Sequence, residues 1–158
     1  MSTLDALDAR ILLALDADPD ATVLALARTL GVARNTVSAR LARMRAGGAL
    51  REPSRRLDPA ALGRGMVAFV QIALSQASGP RAIAALRRVP EVVEMHSTSG
   101  EADLLLKVVA RDTADLHRIT TALLRVEGVV RTSTTISLAE ELPTRYGELL
   151  ARLAGQQG

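Results

Sequence analysis

The sequence predicts an α+β chain: an N-terminal three-helix unit built on a winged helix-turn-helix, followed by a C-terminal domain of ferredoxin-like βαββαβ order. Three observations predict it. Residues 22–50 carry two short stretches of helical periodicity separated by a glycine turn. Residues 66–138 read as strand, helix, strand, strand, helix, strand. Between them, residues 53–65 hold Pro53, Pro59, Gly63 and Gly65, a composition suited to a connection.

In the first helix Leu4, Leu7, Ile11, Leu12 and Leu15 share one face, and Pro19 among acidic residues marks its end. The second helix spans Val23 to Leu30, with Thr22 as N-cap and Gly31 as stop. The third runs from Arg34 to Arg45 and ends at Gly47-Gly48, with Val37, Leu41 and Met44 at i, i+4, i+7 facing inward. Ala49 to Glu52 is expected to add a short strand or wing before Pro53.

Downstream, Met66 to Leu74 is rich in β-forming residues. Pro80 to Val89 is a short helix with Pro80 in its first turn and Pro90 as stop. Val92 to Ser99 and Leu104 to Val109 are strands joined by the turn Gly100-Glu-Ala. Asp112 or Thr113 can cap a helix with Leu116, Ile119 and Leu123 inward, ended by Gly128. From Val129 to Leu138 the period is two, with Val130, Thr132, Thr134, Ile136 and Leu138 on one face. Residues 144–153 can form a last helix with Leu149, Leu150 and Leu153 for packing. The expected domains are therefore 1–52, a linker 53–65, a second domain 66–142 and a helical tail 143–158.

Composition narrows the function. Of 158 residues 48% are hydrophobic and 23% charged, which suits a folded chain. Phe69 and Tyr146 are the only aromatics, too few for a stacking reader of single strands. No cysteine is present, so disulfides, thiolate metal sites and cysteine catalysis are excluded. His96 and His117 are too few for a typical zinc site, and no serine, histidine and acid arrangement has a catalytic pattern, so neither metal nor catalytic residues are expected. The amino terminus lacks a signal-peptide pattern, and the longest apolar stretch is too short to span a bilayer, so a cytoplasmic location without membrane contact is expected.

The charge is unevenly spread. Residues 28–56 hold Arg28, Arg34, Arg40, Arg43, Arg45, Arg51, Arg55 and Arg56 against Glu52 alone, a local balance of +7 within a chain of net +3. Residues 1–27 balance at −4. A short turn, a buried stripe and a cationic outer face are what a helix entering a DNA major groove requires. Arg34, Asn35, Thr36, Ser38 and Arg40 are assigned to base edges or nearby phosphates, and Arg28, Arg43 and Arg51 to phosphates. In the second domain both helices must cover one sheet face, so a second copy is the expected cover for the other. A homodimer follows.

The ordered set of motifs resembles the Lrp/AsnC family of transcription factors, the feast/famine regulators, over nearly the whole length. Leu4-Asp5 and Leu7-Asp8-Ala-Arg-Ile-Leu12 are similar to its opening helix; Leu26-Ala27, Gly31-Val32, Thr36-Val37, Arg40-Leu41-Ala-Arg43 and Gly48-Ala-Leu50 to its helix-turn-helix. Leu57-Asp58 and Leu62-Gly63 resemble its linker; Val92, Glu94 and Gly100-Glu-Ala-Asp103-Leu-Leu105 resemble its ligand-sensing signature. Ala33 stands where the family usually has a capping serine, a loss of about 1 kcal/mol that Asn35 could offset by shifting the helix start. Ala102 and Leu104 replace aromatics common around the loop aspartate.

The resemblance implies a regulator that binds double-stranded DNA, whose dimers assemble to a tetramer or octamer, with an amino acid or related metabolite as effector and no other cofactor. It also implies effector sites where dimers meet. The loop Gly100 to Asp103 suits that role: glycine loops expose N–H donors for a carboxylate, and Asp103 or Glu101 offers a partner for an ammonium. Ser99, Gly100, Glu101, Asp103, Leu104, Thr134 and Thr135 form the candidate effector set. Two other readings stay open. One is a siroheme-decarboxylase-like enzyme of the same fold, with His96 near a tetrapyrrole; the other is a metabolite-binding module whose helical domain contacts protein only.

Overall fold

The structure is a computed structural model that describes residues 3–51, 54 and 57–156. They form two compact units, one comprising residues up to 56 together with those from Leu142 onward, the other Leu57–Glu141.

The first unit opens with α1, Ala6–Ala17. Asp5 caps it, its carboxylate accepting the Asp8 N–H while the Asp8 carboxylate accepts the Asp5 N–H, so two orphan donors are satisfied reciprocally. Helix α2, Val23–Leu30, is capped by Thr22, whose Oγ1 accepts the Ala25 N–H at 3.1 Å. It stops at Gly31, where φ is +67°, a left-handed conformation that lets the chain reverse within a few residues. Helix α3, Arg34–Ala46, then begins behind Ala33, which makes no side-chain cap. Asn35 therefore does not shift the start as expected; it sits exposed in the first turn. Ile11, Leu26, Ala27, Val37, Leu41 and Met44 form the core.

Two sequence expectations change here. Ala49 and Leu50 form a bend, so no wing strand follows α3 among the described residues; Glu52 and Pro53 lie outside them. The segment read as a separate tail returns as α6, Gly147–Gly155, and packs against α1 within this unit.

In the second unit a 3-10 turn, Pro59–Leu62, leads into β1, Met66–Leu74, then α4 (Gly79–Leu86), β2 (Val92–Ser97), β3 (Leu104–Ala110), α5 (Thr113–Leu124) and β4 (Val129–Ile136). The strands form one antiparallel sheet in the order β2-β3-β1-β4. Ala68, Val70, Ile72, Leu104, Leu106 and Val108 face the helices and are buried with Leu86, Leu116, Ile119 and Leu123. A register shift at Ala73/Leu74 sets Val129 opposite Leu74. Val129 therefore packs on the core and Val130 is exposed, contrary to the simple alternation. The strand also ends at Ile136, and Leu138 beyond it is 98% exposed.

Gly128 allows α4 and β4 to approach. Its φ is +94°, and a Cβ there would stand 2.7 Å from the Ser78 Cβ. Asp115, at the start of α5, is buried and holds three guanidinium groups, those of Arg64, Arg111 and Arg118. Hydrogen bonds from Arg111 and Arg118 hold its carboxyl well below the ordinary carboxylate range. Through Arg64 this cluster fastens the chain just ahead of β1.

Candidate DNA interface and effector loop

On α3 the outward face carries Arg34, Asn35, Ser38, Ala42 and Arg45, all exposed, with Thr36 half-buried beside them. Arg28 on α2 and Arg51 after α3 are also exposed. Arg28, Arg34, Arg45 and Arg51 make no ion pair among the described residues.

Arg40 and Arg43 are differently placed. Asp8 is fully buried, and its carboxylate accepts from Arg40 Nη1 at 3.0 Å and from Arg43 Nη2. Arg40 Nη1 also donates to Asp5. That bond, with the Asp8 N–H, lowers the Asp5 carboxyl to about 2, while the two carboxylates push the Arg40 guanidinium up. These arginines thus brace α3 against α1. The sequence reading gives Asp5 and Asp8 as acidic residues and as part of the opening-helix motif, not as partners of α3. The signal was present in their Asp-x-x-Asp spacing, a capping-box pattern, and in the −4 of the first segment facing the +7 of the second.

In the second unit the loop between β2 and β3 turns at Gly100, with φ at +120°. Thr98 closes it, its N–H donating to the Asp103 carbonyl at 3.0 Å and its Oγ1 to the Ala102 carbonyl at 2.7 Å. Asp103 ties the loop to β1: its N–H donates to the Ile72 carbonyl at 2.9 Å, and Oδ2 accepts the Leu74 N–H at 2.6 Å. One carboxylate oxygen of Asp103 is therefore in structural use. Glu101 is exposed, and among the described residues no ion pair or hydrogen bond involves its side chain.

Ser99, Gly100, Glu101 and Asp103 lie together in this loop; the other candidates do not join them within one chain. Leu104 is buried among the helix-facing residues. Thr134 pairs with Val70 while Leu104 pairs with Ile72. Thr134 is thus about 7 Å farther along and two strand spacings of about 4.8 Å across. Thr135 pairs with Phe69, so it lies on the opposite face from Thr134. Beside the base of the loop a groove of about 270 Å³ opens between α4 and β2, lined by Ile83, Arg87, Met95, Ser97 and Leu104 among others.

The helix-free face of the sheet carries Val67, Phe69, Leu105 and Val109 at its centre; Phe69 is 40% exposed, Val67 and Leu105 are half-buried and Val109 is buried. Around them lie Gln71, Glu94, His96, Lys107, Arg131, Ser133 and Thr135. Lys107 Nζ stands 3.5 Å from Glu94, as does His96 Nε2. His96 is exposed on this face, and His117 on the outside of α5. Among the described residues no His, Asp and Glu group could hold a metal ion, and no helix is long and apolar enough to cross a membrane.

Comparison with known proteins matches each unit. Residues 4–45 match the AsnC-type helix-turn-helix domain and residues 67–146 the Lrp/AsnC ligand binding domain. The transcriptional regulator AldR of Mycolicibacterium smegmatis is 36% identical, over 88% of this chain and 83% of its own length. The regulatory protein AsnC of Haemophilus influenzae is 30% identical, over 87% and 93%. Among solved structures, E. coli AsnC is similar with a TM-score of 0.82 at 26% identity, over 92% of this chain and 99% of its own. A Neisseria meningitidis transcriptional regulator in complex with L-Met gives 0.77 at 26% identity, over 93% and 99%.

Proposed function

Because the chain belongs to the Lrp/AsnC family and is a DNA-binding transcriptional regulator rather than an enzyme, we propose that it reads duplex DNA with the outward face of α3. Arg34, Asn35, Thr36 and Ser38 reach base edges and nearby phosphates, while Arg28, Arg45 and Arg51 hold the backbone. Arg40 and Arg43 act by bracing α3. The observation that carries this reading is the division of the arginines: among the described residues those on the outward side have no carboxylate partner, and those turned toward α1 are paired. The compartment holding the DNA, the cytoplasm, is the corresponding place of action.

If Arg28, Arg34, Arg45 and Arg51 each release a phosphate counterion, a dimer engages eight. Log K on random-sequence duplex should then fall with log salt at a slope of roughly −7. Arg34→Ala should flatten that slope by about 2, one phosphate per subunit. A wild-type slope near zero in fluorescence anisotropy would remove the interface.

A second copy covers the helix-free sheet face. Phe69, 40% exposed on the face opposite the helix layer of its own unit, supports this. Further assembly to a tetramer or octamer belongs to the same reading, as does an amino acid or related metabolite bound at the Gly100 loop where dimers meet. Backbone N–H groups would take its carboxylate, and Glu101 with the free oxygen of Asp103 its ammonium. Thr134 and Thr135 could contribute only from another chain, and from different faces. Effector binding would alter how dimers are placed and so which half-sites are held together.

Asp103→Ala would also untie the loop from β1, so Asp103→Asn is the sharper test. It keeps an acceptor for the Leu74 N–H and removes the charge. Calorimetry with pooled amino acids should show effector binding weakened at least tenfold, with DNA affinity in the absence of effector unchanged. Undiminished effector binding would take Asp103 out of the site.

A further inference from the structure

We propose that the helix layer of the second unit carries another duplex-contact surface, on which Arg81, Arg88 and Arg125 hold phosphodiester backbone outside the reading face. Residues 59–90 contain four arginines and no carboxylate. Arg64 is taken up by Asp115 and Glu91. Arg81, Arg87 and Arg88 are exposed and make no ion pair among the described residues. Of the other cations of this unit, Arg111 and Arg118 pair with Asp115 and Lys107 with Glu94, while Arg131, on β4 and the opposite sheet face, makes no ion pair among the described residues.

The packing of Gly128 on Ser78 gathers the group. Arg125 lies three residues before that contact and Arg81 three residues after it, so the end of α5 and the start of α4 are brought toward one another at the contact, with both arginines exposed. Glu127 is the carboxylate adjoining them in sequence, and it leaves an excess of positive charge. Helix stability accounts for Arg87 and Arg88, which follow the C-terminal end of α4 and suit its dipole. It does not account for Arg81, a cation in the first turn, where the dipole disfavours it. Ala84, small and exposed, lies between Arg81 and Arg88. Arg81 lies in the first turn of α4 and Arg88 two residues past its end at Leu86, so the two stand at opposite ends of one short helix.

The occupant we favour is DNA rather than an acidic protein. A chain already holding duplex through its first unit presents the same polyanion to α4 at high effective concentration. The proposal thus rests on duplex binding by the first unit. The test uses the full chain and the variant Arg81→Ala/Arg88→Ala/Arg125→Ala, with random-sequence duplexes of about 20 and about 80 base pairs titrated against salt. On the short duplex the variant should match the wild type within twofold. On the long duplex the wild-type slope should be the steeper, and the variant should flatten it by about 3 per engaged subunit. Arg34→Ala should flatten both lengths; if it does not, the reading face fails and not merely this surface. Equal slopes for wild type and variant on the long duplex overturn the proposal, including the case where the variant instead loses polyglutamate binding.

Discussion

Replacing Asp8 with alanine is expected to destabilise the first unit by about 2–4 kcal/mol, read as a lower urea midpoint. Asp8 is fully buried and accepts from both Arg40 and Arg43, besides completing the cap of α1. Alanine leaves Arg40, only a quarter exposed, with Asp5 alone. Arg43 is nearly half-exposed and can rehydrate, which keeps the loss below that of a fully buried pair. Asp8→Asn, still an acceptor, should fall between. Duplex affinity should drop with both variants even where the unit remains folded, because α3 has lost its brace. The Asp5–Arg40 arm has a defined acid range. A carboxyl lowered to about 2 contributes fully above its unfolded value and is lost as pH falls through about 2, so this arm survives mild acid. An Asp8→Ala protein with the wild-type midpoint would show that the brace carries no stability.

The second large effect is expected from Phe69→Asp. Phe69 faces away from the helix layer, opposite Lys107 on β3 and Thr135 on β4, so the core of its own unit does not depend on it. An aspartate there would be buried without a partner if a second sheet covered the face. Sedimentation at micromolar concentration should show monomer in place of dimer, with the far-ultraviolet circular dichroism unchanged. Affinity for a duplex with two half-sites should fall by about 10²- to 10⁴-fold, the loss incurred when one of two linked contacts becomes independent. A variant that sediments as a dimer would exclude this face as the dimer contact.

The elements were legible because their signals are local. Apolar spacing in α2 and α3, Thr22 ahead of one and Gly31 behind it, and Asp112 ahead of α5 all act within a few residues. What escaped depends on partners distant in sequence. The pairing of Arg40 and Arg43 with Asp8 spans more than thirty residues, so the arginines read as free cations. The shift at Ala73/Leu74 is set by two strands together, and it exchanged the expected roles of Val129 and Val130. The order of elements alone sets Thr134 and Thr135 on an edge neighbouring the loop, whereas pairing across β1 leaves them two strands from it within one chain. The amphipathic spacing of Leu149, Leu150 and Leu153 announced α6 but not α1 as its surface.

That return of α6 to α1 has a consequence for biosynthesis. The chain completes its first globule only after the whole second globule has been made, so the nascent protein leaves the ribosome with three helices waiting for a fourth. Until residues 147–155 emerge, the flank of α1 that α6 will occupy stays open to water and to other nascent chains.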